Sequence, residues 1–311
     1  MISLSVVFAA LAAVLIDKLL GEPSDRFHPL VAFGKLANRV ESRVRRPDIL
    51  ADITRKQGML GWCVLVLIPT FTALVIVSLF SGNWYKIVFD VAVLYLCLGG
   101  HSLDQHARRV LSPLVRGELA TARHAVAKIV RRDTQQLDQT EITQATLETV
   151  LKSGNSAFFA PLFWFLVLGA PGVIAYRAIN TLDAMWGYRN RQYLEFGYLA
   201  ARADDAANWI PARLTAVCYA IAGQFRPAIR CWRQQASQFA SRNGGVLMTA
   251  GAGALDVQLG GPASYNGKMR QKPLFGTERL PVPGDISRAL LLFWQSVVLW
   301  FGVLFLLLLV V

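Results

Sequence analysis

The sequence predicts an all-α, polytopic membrane protein, with transmembrane helices and amphipathic helices on the cytoplasmic side. Three observations carry that expectation. Apolar residues make up 54% of the 311 positions, above the roughly 45–50% of ordinary soluble domains, and they are bunched into blocks. The runs 60–80 and 289–311 hold no charged residue and are long enough to cross a ~30 Å hydrocarbon core. The basic excess, a net charge of +12, flanks those blocks, as the positive-inside rule and anionic lipid lead one to expect. The lipid bilayer is therefore the expected partner. No zinc finger, RNP motif or basic zipper region points to nucleic acid.

Taken in order, residues 1–20 form a first membrane segment. Asp17 and Lys18 close it without a clear A-x-A-like cleavage site, so it reads as a retained anchor. Phe33, Leu36, Val40 and Val44 then make one apolar face opposite Lys35, Arg39, Arg43 and Arg46. Two readings fit that pattern: a helix lying on an anionic surface, and a solvated helix packed on its neighbours. Residues 60–80 are a span, and 87–100, which contains Asp90, are a weaker one. Residues 118–130 and 139–152 show helical periodicity, and Asp138 with Glu141 three residues on forms a capping-box pattern. Residues 157–168 are apolar but rise only about 18 Å before Gly169-Ala170-Pro171-Gly172 interrupts them. The segment 157–178 is a kinked crossing, a re-entrant hairpin or a buried core helix. Residues 289–311 form the last span.

Lys and Arg counts set the orientation. Stretches 21–59 and 101–157 carry eight each, 177–288 carries 14, and 81–86 carries only Lys86. The first three are therefore expected in the cytoplasm and 81–86 outside, which favours a non-crossing or re-entrant course for 157–178. The chain reads as one domain, with 101–156 and 179–287 as cytoplasmic-side catalytic regions of a bacterial inner-membrane protein. No two of Cys63, Cys97, Cys218 and Cys231 have CxxC spacing, so they are expected reduced and packed. Few spans and no pseudo-symmetric halves argue against a transporter.

Four stretches are too polar for simple connections, and a fifth is glycine-rich. The first runs from Asp17 to Glu22 with His28-Pro29, where a capping or structural role competes with a functional one. The second is Arg131-Arg132-Asp133-Thr134, either a local ion pair and cap or a phosphate contact through Arg132. The third, 176–189, sets Asn180, Asp183 and Gly187 on one helical face, with Arg177 and Arg189 nearby. Polar groups beside a membrane point to function. The fourth, 201–214, holds Asp204 and Asp205 on different faces, and either can share a face with Asn208. Asp183 plus one of that pair suits Mg²⁺, which takes one or two carboxylates together with phosphate oxygens. An Asp–Arg network stapling helices is the alternative. The fifth is 251–276, whose glycines allow close backbone approach. Lys268 is there to meet a phosphate, but no GxxxxGK[ST] motif marks a P-loop.

These blocks resemble the adenosylcobinamide-phosphate synthase family of cobalamin biosynthesis, the CobD/CbiB type. The similar parts include Leu15-Ile16-Asp17, His28-Pro29, Arg132-Asp133-Thr134, Ala160-Pro161-Leu162-Phe163 and Asn180-Thr181-Leu182-Asp183. Gly187-Tyr188-Arg189, Asp204-Asp205, Asn208-Trp209-Ile210-Pro211-Ala212-Arg213 and Leu259-Gly260-Gly261-Pro262 follow in the same order. The resemblance implies an acid–amine ligase that condenses adenosylcobyric acid with aminopropanol or aminopropanol phosphate, using ATP and Mg²⁺. The substrate corrinoid carries cobalt. On that view Asp183 and Asp205 hold the metal, with Asp204 in reserve, and Arg132, Arg189, Arg202 and Lys268 neutralise phosphates. Asn180 and Thr181 orient oxygens, and Asn208, Arg213, Tyr265 and His28 contact substrate. The choice of amine and any homo-oligomer stay open.

One departure stands out. Where family members carry a Glu-Asn pair and an acidic residue three positions past its Asn, this chain aligns Lys152, Ser153 and Ser156. The competing reading is a catalytically altered relative with a sensory or regulatory role, like AmpE-type membrane proteins. Those lack most of the Asn-Thr-Leu-Asp block, which this chain keeps.

Overall fold

The computed structural model describes residues 4–24, 26, 28–45, 51–80, 82, 84–188 and 190–310. The chain is built from α1 (Leu4–Leu20), α2 (Pro29–Val44), α3 (Ala51–Leu79), α4 (Trp84–Cys97), α5 (Gly100–Val115), α6 (Leu119–Ala127) and α7 (Gln139–Gly154). A π-helical turn, Asn155–Phe159, leads into α8 (Ala160–Trp186), α9 (Tyr198–Ala207), α10 (Trp209–Ala222), α11 (Phe225–Gln235) and α12 (Arg242–Leu255), and α13 (Gly284–Val310) ends the chain. Sheet is confined to four three-residue strands, β1 (Gln258–Gly260), β2 (Ala263–Tyr265), β3 (Lys268–Arg270) and β4 (Leu274–Gly276). The all-α expectation holds. Four helical stretches are long and apolar enough to cross a membrane: Ala51–Leu79, Trp84–Val115, Gln139–Trp186 and Gly284–Leu309.

The chain divides into two compact units. The first comprises Met1–Gly99 and Ala160–Trp209, the second Gly100–Phe159 and Ile210–Val310.

In the first unit α1 buries Ala9, Ala10 and Ala13, small residues of the kind that let apolar helices approach closely. Leu65 and Val66 of α3 pack with Ala178, Leu182 and Trp186 of α8 and with Phe196 and Ala200. Phe33 and Val40 of α2 pack against this same cluster, and Glu41 is buried, so α2 is tied to the protein through its apolar face. Leu36 on that helix stays exposed. The Gly169–Gly172 punctuation acts without opening a loop. Gly169 takes φ 67°, ψ −156°, a backbone region essentially closed to other residues. The helix ends there and restarts at once, with Pro171 in the new first turn, where a missing N–H costs nothing.

In the second unit α7 begins on the expected capping box. Glu141 N–H donates to Asp138 Oδ1 and Asp138 N–H to Glu141 Oε2, each at 2.8 Å. Phe158, Phe159 and Phe293 meet edge to face at centroid distances of 5.3–5.5 Å, which closes the core around α13. The 251–276 region is not a featureless glycine loop. It is the end of α12 followed by two antiparallel ribbons, β1 with β4 and β2 with β3. Three-residue strands are too short to register as a period-two pattern in the sequence.

Candidate functional site

Within the first unit, α8 and α9 build a polar seam. Tyr176 Oη donates to Asn208 Oδ1 at 3.0 Å, and Asn208 Nδ2 donates to the Asp204 carbonyl at 3.0 Å. Asn180 Nδ2 donates to Asp204 Oδ1, also at 3.0 Å. Trp164 Nε1 closes the end of α9 on the Ala207 carbonyl. Helical spacing sets Tyr176, Asn180 and Asp183 on one face of α8 at intervals of four and three. The Asp204 and Asp183 carboxylates both lie within electrostatic reach of Tyr176. Asn208 is buried, while Asp204, Asp183 and Thr181 are half-buried.

Asp205 behaves differently from its neighbour. It is exposed, and Asp204 is the carboxylate that takes the Asn180 amide. Arg202 is exposed, its guanidinium 5.6 Å from the Tyr198 ring centroid. His28 is buried, and its Nδ1 accepts the Leu30 N–H at 3.2 Å as the N-cap of α2. One of its nitrogens is thus committed to structure. Arg189 lies outside the described residues. Among the described residues no group of three or more His, Cys, Asp or Glu could by itself hold a metal ion. One or two carboxylates with phosphate oxygens are enough for Mg²⁺, and Asp204 is the α9 carboxylate turned toward α8.

The second unit has its own polar centre, around Glu148, which no local sequence pattern marks. Glu148 on α7 accepts from Arg132 Nη2 at 3.1 Å and from the Gly260 N–H at 3.2 Å, and lies 3.7 Å from Lys272 Nζ. Arg132 is 7% exposed and Glu148 13%, so this pair is shielded from solvent. Beside it Asp133 latches the β2–β3 ribbon. Its carboxylate accepts Ser264 Oγ, the Asn266 N–H at 3.1 Å and the Gly267 N–H at 2.9 Å. Those bonds hold its pKa below the ordinary carboxylate value, the Ser264 hydroxyl first and the Gly267 amide next. Asn266 and Gly267 have φ 50° and 71°, the left-handed pair that a type I′ hairpin turn needs and that Asn-Gly supplies. The latched ribbon carries Lys268 and Arg270, both exposed. Arg270 and Lys272 lie 5.5 and 5.2 Å from the Tyr265 ring centroid.

Elsewhere in this unit Arg213 Nη1 donates to Asn243 Oδ1 at 3.2 Å. Burial, and then the charge of Arg242, pull its pKa below the usual arginine value. An open groove of about 790 Å³, lined by Arg230, Gln235, Asp256, Gln258 and Glu278 among others, contains none of the predicted residues. The structure therefore brings Asn180, Asp183, Asp204 and Asn208 together in one unit, and Arg132, Tyr265 and Lys268 around Glu148 and Asp133 in the other.

The family model described as CobD/Cbib protein matches residues 10–293. The chain belongs to the CobD/CbiB family. A protein of Stutzerimonas stutzeri (strain A1501) named cobalamin biosynthesis protein CobD is 47% identical over 301 residues, covering 97% of each chain. The protein of the same name from Chromobacterium violaceum is 46% identical, covering 93% of this chain and 92% of its own. That of Mycobacterium tuberculosis (strain CDC 1551 / Oshkosh) is 37% identical, covering 91% and 89%. No solved structure matches.

Against that CobD/CbiB background, Lys152 is exposed on α7 one turn after Glu148, Ser153 is half-buried, and Ser156 sits half-buried in the π-helical turn. Such turns recur at functional sites. In this one the neighbouring Asn155 is buried and its Oδ1 accepts from Thr215 Oγ1 at 3.1 Å. The importance of Glu148 could not be read locally, because its partners lie 16 and 112 residues away.

Proposed function

We propose that this CobD/CbiB member acts in cobalamin biosynthesis as an acid–amine ligase. It would join adenosylcobyric acid to aminopropanol or its phosphate with ATP, in the inner membrane with the reacting groups on the cytoplasmic side. The observation that carries the reading is the Tyr176–Asn208–Asp204–Asn180 seam with Asp183 one turn further on, in a chain whose relatives are named for cobalamin biosynthesis. Polar groups are costly beside a bilayer, and a seam that leaves carboxylates half-exposed is a poor way only to staple helices.

The chemistry follows from the substrate. A corrin carboxylate is a weak acyl donor, so its oxygen first takes the γ-phosphoryl group of ATP, releasing ADP. The amine nitrogen then attacks the acyl carbon, inorganic phosphate leaves, and the ammonium proton is lost. Little covalent work falls to the protein, and positioning and charge stabilisation dominate such a transfer. Asp183 and one acid of the Asp204–Asp205 pair would hold Mg²⁺, which would neutralise phosphate charge. The Asn180 bond favours Asp204 for that place over Asp205. Asn180 itself fixes the carboxylate rotamer, and Asn208, hydrogen-bonded to Tyr176, fixes the end of α9. Arg202, in the same unit, and Arg189 are the candidate phosphate-neutralising cations for that metal site, and Arg132 is already taken by Glu148.

The test is a purified-protein assay with ATP, Mg²⁺, the corrinoid acid and each amine in turn. Asp183→Ala and Asp204→Ala should each lower turnover about 10²-fold or more while the protein still folds and inserts, and Asp205→Ala should cost less. Undiminished turnover would remove that residue from the metal set. A wild-type protein that binds corrinoid but turns over no ATP would favour the catalytically altered, AmpE-like alternative.

A further inference from the structure

Three cations from three helices of the second unit gather at the first turn of α12. Lys152 comes from the last turn of α7, and its Cε lies 3.9 Å from where a side chain on Gly244 would begin. Arg213 comes from α10 and holds the side chain of Asn243. Arg242 opens α12, and its charge acts on Arg213. Among the described residues neither Lys152 nor Arg242 forms an ion pair.

The unit's acids are committed elsewhere. Asp104 pairs with Arg108, Glu118 with Arg116, and Asp285 with Arg279 and Arg288. Glu148 takes Arg132 and Lys272, Asp133 latches the β2–β3 turn, and Asp138 with Glu141 forms the α7 cap. Asp256 and Glu278 line the groove beside α11. Like charges held close together raise the free energy of the folded chain. A bound anion offsets that cost, and the partial positive charge of the α12 first turn adds to the field.

We propose that Lys152, Arg213 and Arg242 form a binding site for a phosphate oxyanion, which begins one turn along α7 from Glu148 and does not use that carboxylate. Donors arriving from three helices match a tetrahedral anion with several acceptor oxygens better than a flat carboxylate, which a single arginine fork satisfies. In this site the lysine that departs from the family pattern is a binding group rather than only a lost carboxylate. The source of the phosphate rests on the function proposed above. It is either the phosphomonoester of the amine substrate or a nucleotide phosphate.

The test is calorimetric titration of the full-length protein in detergent, at fixed ionic strength and without turnover. The probes are inorganic phosphate, aminopropanol phosphate, ATP and, as a control, acetate. Wild-type protein should bind inorganic phosphate and not acetate. Lys152→Gln and Arg242→Gln should each weaken phosphate binding about tenfold or more. Lys152→Arg, which keeps the charge, should bind nearly as the wild type does, and Lys128→Gln at the far end of α6 should change nothing. The organic phosphate whose affinity falls with the same two variants identifies the source. Phosphate affinity unchanged in both glutamine variants, no phosphate binding by the wild type, or equal binding of acetate would each overturn the site. Phosphate binding that depends on Lys152 and Arg242 in a protein that makes no amide would overturn the ligase reading alone.

Discussion

Removing the Glu148 carboxylate would leave the Arg132 guanidinium, 7% exposed, without the acceptor that neutralises it. Breaking a shielded pair from one side is costly, because the remaining charge stays buried. Glu148→Ala should therefore destabilise the protein by roughly 3–5 kcal/mol, read as a lower unfolding midpoint in detergent. Glu148→Gln, which keeps an acceptor oxygen, should cost less. A loss below about 1 kcal/mol would mean the pair behaves as an ordinary surface bridge. The neighbouring Asp133 makes a pH prediction. Its folded pKa is depressed by the Ser264, Gly267 and Asn266 donors, so its contribution is fully present above the unfolded carboxylate value near 3.9. That contribution is lost as pH falls through the lower folded value. Hydrogen exchange at Asn266 and Gly267, corrected for intrinsic rates, should lose protection at that acid end. Asp133→Asn should show weak protection at every pH. Asp133 sits in a stretch the sequence marks as polar and Glu148 does not, and Asp133 finds its partners 131 to 134 positions away. No local pattern encodes such pairings.

At the scale of elements, legibility follows range. The α7 capping box is an i, i+3 pattern and is plain in Asp138 and Glu141. Asp138→Ala should lower stability by about 0.5–2 kcal/mol, with the loss of helicity confined to the start of α7, and an unchanged unfolding midpoint would contradict it. The Gly169–Gly172 break is equally visible because Gly and Pro act on their own backbone, but whether a loop or an immediate restart follows depends on what packs on either side. The amphipathic face of α2 leaves lipid and protein as alternatives, and Phe33 and Val40 pack on protein. The strands β1 to β4 escape the sequence because three residues give no period. Their turn is marked only by Asn266-Gly267, one glycine position among many in 251–276. In the seam, helical spacing puts Asn180 and Asp183 on one face in advance. That Asp204 rather than Asp205 faces Asn180 depends on how α9 rotates against α8.

For the whole molecule, composition alone is enough to foresee helices that fit a bilayer, because burying backbone in lipid leaves few other solutions. The division into two units is not legible, since each is assembled from separated stretches of chain. Orientation rests on the Lys and Arg distribution, and it makes a direct prediction. A reporter active only outside the cytoplasm should work when fused within 81–86 and fail when fused within 116–118, with the reverse for a cytoplasmic reporter. The opposite result would invert the topology and put the reacting groups on the side without ATP.

Activation of a corrin carboxylate by ATP is the step proposed above for amide formation. It is tested most directly by supplying adenosylcobyric acid labelled with ¹⁸O in its reacting carboxylate and analysing the released phosphate by mass spectrometry. Each amide should come with one ADP and with one ¹⁸O atom in its inorganic phosphate, carried over from the acyl phosphate. Amide formed with unlabelled phosphate, or ATP left intact while both substrates are bound, would contradict that step.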